Sequence, residues 1–239
     1  MRLDKFLAHT GFGSRKDVKA LVRGRRVHVK GELERDPQRH IDPDEDEITV
    51  DGAMVLYTKY VYLMLNKPPD VVSAVWDPDW ETVSDLAAKS TGIEGLFPVG
   101  RLDKDATGLI ILTNDGIFTH RATSPKKNVE KVYLTEVEGV LNETDAEAFK
   151  SRITIDGGYL CRPAKLEILS SGPQSRAFVT LTEGKFHQVK RMFQARGKRV
   201  ISLKRVSFGG IPLPKDLPEG EVRPLSDEDI EIIKPLLGE

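Results

Sequence analysis

The sequence predicts an α+β protein in two unequal units: a small N-terminal module of two helices with a short β-hairpin, and a larger, mixed, mainly antiparallel sheet. Three observations carry this. Apolar runs of strand length outnumber helical patterns and do not alternate regularly with them, which argues against a parallel βαβ array. The charge reverses sign near Asp42, setting the basic N-terminal stretch apart from the rest of the chain. VYLMLNKP, beginning at Val61, is a strand signal stopped by Lys67-Pro68-Pro69, and residues 53–59 before it read as a linker. The expected units are therefore residues 1–56 and 60–239.

From Met1 to Gly31 there are nine Lys or Arg against two acids, a net charge of +7, which the acids of IDPDEDEITVDG then cancel. Ser14 can cap a helix carrying Val18, Leu21 and Val22 on one face, while Arg15, Lys19 and Arg23 recur every fourth residue on another. Gly24 ends that helix, and Val27-His28-Val29 alternates as a short strand with Ile48 and Val50 as its partner. A solubilising face would carry both signs, but this one is nearly all positive, which points to phosphate contact by Arg2, Lys5, Arg15, Lys16, Lys19, Arg23, Arg25 and Arg26.

In the second unit, further strands are expected at residues 71–75, 109–113, 132–137, 164–169, 177–181 and 200–204. Helices are expected after Asp115, at 144–150, at 186–195 and after a Ser226 cap. The 239 residues, with 39% hydrophobic and 31% charged side chains, can bury a substantial core. No long apolar segment near the N-terminus supports a signal peptide or membrane span, so the expected location is the cytoplasm. The one cysteine, Cys161, has no disulfide partner and reads as a packed small residue.

Two local features raise chemical questions. GRLDKDATGLIILTNDG, residues 100–116, places Arg101, Asp103 and Asp105 on a loop feeding an apolar strand, where access and fixed position combine. In EGKFHQVKRMFQARG the helical period puts Phe186, Val189 and Phe193 on one face with Lys190 beside them, and Arg191 nearly opposite. A lysine turned inward needs a carboxylate, and the loop offers acids in need of a partner. The sequence lacks GxGxxG after the first strand, GxxxxGK[ST], a GxSxG elbow and HExxH. No bound nucleotide cofactor, hydrolytic metal or serine triad is indicated, and a cofactor-free reaction on RNA remains.

The chain resembles the small-subunit-rRNA pseudouridine synthases of the RsuA type, a bacterial family that isomerises a uridine to pseudouridine. MRLDKFLAHTGFGSRKDVKALVRGRRVHVKGE looks like the RNA-binding module named after ribosomal protein S4, GRLD followed by TxGL like the catalytic signature, KVYL like the tyrosine motif and EGKFHQVKRMF like the basic helix, in the family's order. The resemblance implies that Asp103, not Asp105, is the catalytic carboxylate and meets C6 of uracil or C1′ of ribose. It also implies that Arg101 helps extrude the target nucleotide, that Tyr133 stacks on the uracil and that Lys190 pairs with Asp103. His187 and Arg191 are expected at the substrate, Arg191 on phosphate. FHQVKRM, with His187 and Gln188, is more like the small-subunit group than its large-subunit relatives, which tend to asparagine-arginine here. The expected partner is ribosomal RNA within a small-subunit assembly intermediate, bound by a monomer without cofactor, metal or membrane. The rival readings are a large-subunit rRNA synthase and a non-catalytic assembly factor.

Overall fold

The computed structural model describes residues 1–57 and 59–237. Helices α1 (Leu3–His9) and α2 (Arg15–Arg23) pack on a four-stranded sheet of β1 (Val27–Val29), β2 (Glu32–Leu33), β3 (Ile48–Val50) and β4 (Ala53–Met54), ordered β2-β1-β3-β4. Ser14 and Asp17 form a reciprocal capping box that starts α2. Val18 and Val22 turn into a core with Leu3, Phe6, Leu7, Val27 and Ile48, as the helical period requires. The expected strand pairing is present, Val27 opposite Val50 and Val29 opposite Ile48. The hairpin is nevertheless larger than expected. Ala53 and Met54, read as linker, add an outer strand by pairing with Val50 and Thr49, and Thr58 of that linker lies outside the described residues.

The larger unit runs β5 (Tyr62–Lys67), α3 (Val83–Thr91), β6 (Phe97–Pro98), β7 (Thr107–Thr113), α4 (Gly116–Thr123), β8 (Lys131–Glu138), α5 (Glu143–Lys150), β9 (Thr154–Ile155), β10 (Tyr159–Leu160), β11 (Lys165–Ser170), β12 (Gln174–Leu181), α6 (Gln188–Ala195), β13 (Arg199–Phe208), β14 (Ile211–Pro212), β15 (Val222–Pro224) and α7 (Asp227–Ile233). Its sheet is ordered β11-β12-β8-β13-β7-β5-β15, with β6 beside β7 and β14 beside β13. The β13–β7 pairing is parallel and the other pairings of the named strands in this sheet are antiparallel. The central strands read as unbroken apolar runs because both faces are covered. Leu63, Leu65, Ile110 and Leu112 join a core with α3, α5 and α6, whereas Met64, Leu109 and Ile111 join one with α4 and α7.

Two expected elements are corrected. Residues 71–75 form no strand beyond a bridge between Val72 and Thr82: the Val72 amide donates to the Glu81 carbonyl and the Val72 carbonyl accepts from Ala74 and Val83, so the backbone is used in turn and loop bonds and not in a ladder. The helix expected at 186–195 starts at Gln188, since His187 has φ 51°, outside the helical region. Phe186, expected on the buried face, is 75% exposed as a result. Among the described residues no helix is long and apolar enough to cross a membrane.

Candidate active site

The loop of residues 100–106 is fixed from below before it presents any side chain. Leu102 donates its amide to the Ser73 hydroxyl at 3.0 Å, and that hydroxyl donates to the Leu102 carbonyl at 2.9 Å. Lys67, the last residue of β5, is fully buried and donates from Nζ to the carbonyls of Pro68, Lys104 and Ala106 at 2.8–3.0 Å. Burial pulls Lys67 down to about 8, against the raising pull of Asp105 and Asp103. Two carbonyls of the loop and the Pro68 carbonyl after β5 thereby share one donor, which ties the loop to the end of the strand. At the exit, Gly108 has φ +101°, and a Cβ there would stand 2.3 Å from the Arg205 carbonyl oxygen of the parallel strand β13. The glycine of TxGL is thus required by the approach of two backbones.

The loop opens on a cleft of about 510 Å³ lined by Arg101, Asp103, Tyr133, His187 and Arg205, among others. Lys190 of α6 reaches the loop, with Nζ 3.2 Å from Asp103 Oδ2 and 2.6 Å from Asp105 Oδ1. Burial lowers the Lys190 pKa, but the hydrogen bond to Asp105 and the charge of Asp103 outweigh it, so the ammonium is held above its ordinary value. The hydrogen bond from Lys190 holds the Asp105 carboxyl below its usual range. Asp105 is therefore a second partner of Lys190, one that the family motif does not single out.

His187 Nε2 lies 3.6 Å from Asp103 Oδ1, a distance that becomes an ion pair when the ring is protonated. Its ring stacks on exposed Phe186 with centroids 3.8 Å apart. Gln188 and Glu183 build the turn that delivers it: the Lys185 amide donates to Gln188 Oε1, and Gln188 Nε2 donates to Glu183 Oε1. Tyr133 projects from β8 onto the cleft and is 9% exposed. Arg101 is exposed at the rim.

Arg191 departs from its expected place. Its guanidinium donates to the Asp156 carboxylate and carbonyl and to the Phe186 carbonyl. The β9–β10 hairpin lies against that side of α6, so the outward face is occupied by protein and the cation holds that hairpin and the turn before His187. In the N-terminal module, Arg2 pairs with buried Asp4 and Arg26 with Asp51. Arg15, Lys16, Arg23 and Arg25 are exposed and, with Lys5 and Lys19, form no ion pair among the described residues.

Comparison with known proteins agrees with this arrangement. Residues 61–195 match the family described as RNA pseudouridylate synthase, and residues 1–48 match the S4 domain. The chain is 43% identical to an uncharacterized RNA pseudouridine synthase, YtzG, of Bacillus subtilis, over 98% of each chain. It is 38% identical to ribosomal small subunit pseudouridine synthase A of Escherichia coli, over 96% of this chain and 98% of that one. A solved structure described as a pseudouridylate synthase superposes with a TM-score of 0.66 at 36% identity, covering 98% of this chain and 99% of the other. A basic S4 module followed by a mixed sheet that aims a loop aspartate into a cleft belongs, in this chain, to a member of the RNA pseudouridylate synthase family.

Proposed function

We propose that the chain converts a specific uridine of small-subunit (16S) ribosomal RNA to pseudouridine, with Asp103 as the catalytic carboxylate. The observation that carries this is the Asp103–Lys190 pair, 3.2 Å apart in a cleft that Tyr133 also lines. A carboxylate aimed at a polyanion has no use in binding alone, which disfavours a purely RNA-binding assembly factor. Lys190 is the cation paired with Asp103, the group that acts as nucleophile or base. The target base has to leave its stack at a cost of a few kcal/mol, and stacking on Tyr133 with Arg101 taking the vacated place offsets part of it. His187 sits at the substrate beside Asp103, and Arg191 shapes the turn that carries it rather than meeting phosphate.

The two units divide between residues 56 and 60. Lys5, Arg15, Lys16, Lys19, Arg23 and Arg25 contact backbone phosphates, with smaller shares for Arg2 and Arg26, whose charges are already paired. The substrate is rRNA in a small-subunit assembly intermediate, met by a monomer in the cytoplasm during ribosome biogenesis. The small-subunit target rests on the 38% identity to the E. coli small-subunit enzyme over nearly the whole chain. Mapping pseudouridine in rRNA from cells with and without this protein tests it. One 16S site should vanish with the gene, return with the wild-type chain and stay absent with Asp103→Asn. A lost 23S site would replace the target, and restoration by Asp103→Asn would remove Asp103 from the chemistry.

A further inference from the structure

Beneath Tyr133 the cleft carries positive charge that forms no ion pair among the described residues. Arg205 on β13 is the register partner of Tyr133 on β8, and Lys131, two residues before Tyr133, is the partner of Phe208. Period-two alternation turns Lys131, Tyr133 and Arg205 to one side, and all three line the cleft. Arg205 Cζ and Lys131 Nζ lie 5.0 and 5.8 Å from the centroid of the same Phe208 ring. Lys131 is 7% exposed and Arg205 2%. Lys131 Nζ donates to the Val129 carbonyl at 2.7 Å, Arg205 Nε donates to the Leu109 carbonyl at 2.7 Å, and Arg205 Nη2 has no hydrogen-bond partner. Neither cation forms an ion pair among the described residues. The acid acting on Lys131, Glu183, is already engaged by the Tyr159 hydroxyl, the Arg162 amide and Gln188.

Two buried like charges work against folding, and apolar residues of similar volume would fill the same space more stably. Such an arrangement lining a reactive cleft marks a use in binding or chemistry. The isomerisation supplies one. When Asp103 attacks C1′, the N1–C1′ bond breaks as the C1′–O bond forms, and the electron pair stays on the base, spread over N1, O2 and O4. When Asp103 adds instead to C6, the C5–C6 π pair moves through C4 onto O4. The ring is an anion in either route. On the C1′ route the charge is discharged as C5 bonds to C1′ and the carboxylate leaves; the C5 proton then departs and N1 takes one up, so the product is an isomer of the substrate. We propose that Lys131, backed by the charge of Arg205, holds the negative charge that the uracil ring acquires while Asp103 is bonded to the nucleotide. The proposal rests on the chain acting as a uridine isomerase. Lys131 is the group that meets the base, and Arg205 is a positioning residue that acts through it.

The test uses the full chain and a small-subunit rRNA transcript on which the wild type forms pseudouridine, measuring single-turnover rate at saturating enzyme, RNA affinity and both against pH. Lys131→Met should slow the chemical step by about 10²-fold or more, the scale for removing one preorganised donor, with affinity unchanged within about twofold. Lys131→Arg should recover most of the rate. Burial, with the charge of Arg205, pulls Lys131 down to about 8, against Glu183; Asp103, Tyr133, Lys185 and His187 line the cleft around it. The wild-type rate should accordingly fall as pH rises through about 8, and Lys131→Arg should lack that limb. Lys67, also pulled to about 8, is intact in Lys131→Arg, so a limb that survives there belongs to Lys67 and overturns the proposal. Weaker, less salt-dependent binding by Lys131→Met at an unchanged rate would make the floor a phosphate contact and overturn it too. Should Lys131→Arg not fold, Arg205→Gln decides: the limb should move to higher pH as Lys131 loses its repelling neighbour, and an unmoved limb refutes the assignment. A wild type that forms no pseudouridine on any rRNA refutes the isomerase reading itself, and the proposal with it.

Discussion

The cations of α2 and those around the loop of residues 100–106 are the same chemical groups put to opposite uses. Arg15, Lys19 and Arg23 repeat along one face of a helix whose other face, Val18 and Val22, is in the core, and they form no ion pair among the described residues. Around the loop three cations have fixed acceptors: Lys67 three carbonyls, Lys190 two carboxylates, Arg191 Asp156 and two carbonyls. On the helix, charge should act as a sum, with one residue able to substitute for another. In the cleft it acts by position, and a missing cation leaves named atoms without a partner. The two cases are distinguished by what neighbours each group, not by residue type.

The largest effect should come from Lys67→Met. Removing a buried donor from three carbonyls should cost about 3 kcal/mol or more, at roughly 1–3 kcal/mol per orphaned group, and should loosen Asp103 as well. The pH dependence has a definite sign. Lys67 falls from an ordinary 10.5 to about 8 on folding, so between those values the unfolded chain binds a proton that the folded one has released. Its contribution to stability is lowest below about pH 8 and rises across that window, by at most about 1.4 kcal/mol per pH unit. Urea unfolding at several pH values should show the gap between wild type and Lys67→Met widening from pH 8 to 10. A constant gap would mean that folding leaves the proton on Lys67, the ammonium staying charged in both states across that window.

A smaller effect separates Lys190 from its neighbour. Lys190→Met keeps the apolar stem but leaves Asp103 and Asp105 as adjacent carboxylates without their cation. Activity should drop by about 10²-fold, and its acid limb should move to higher pH, because the Asp105 carboxyl loses the hydrogen bond from Lys190 that holds it low. Arg191→Met should leave that limb in place and reduce activity less, since Arg191 touches the hairpin and turn rather than the carboxylates. Rate against pH for both variants decides the matter: a shifted limb in Arg191→Met alone would reverse their roles.

These contrasts also mark how far the sequence is legible. Periodicity places Val18 and Val22, and apolar runs place the longer strands near 109–113, 132–137, 164–169, 177–181 and 200–204, but not the short strands, and they wrongly suggest one at 71–75. Periodicity places Lys190 beside Val189 and Phe193 and so points to a pair with a loop acid, without saying which. It fails at Phe186, where the chain enters α6 through a left-handed His187 that no periodic pattern encodes. It also misses Lys67, Lys131 and Arg205. Each looks like an ordinary strand-end cation locally, and each is buried by segments distant in the chain, such as Ala106 under Lys67 and Leu109 under Arg205. Asp103 is separable from Asp105 only through the family motif, and both meet Lys190.

The smallest effect per residue belongs to the helix face, and it tests whether charge there does act as a sum. Removing one phosphate contact should reduce the log-log salt dependence of RNA binding by roughly 0.7–0.9, so the triple alanine variant of Arg15, Lys19 and Arg23 should drop by about two to three units of slope. Each single variant should drop by about one, whichever residue is chosen. Arg26→Ala is the internal control: its guanidinium already pairs with Asp51, so it has less counterion to release and should change the slope less than any member of the stripe. Single-turnover rate at saturating enzyme should stay near wild type in all of them, because none approaches the cleft. Unequal single-variant slopes would show that one of the three cations has a fixed partner on the RNA, and the distinction between summed and positioned charge would then fail within the helix itself.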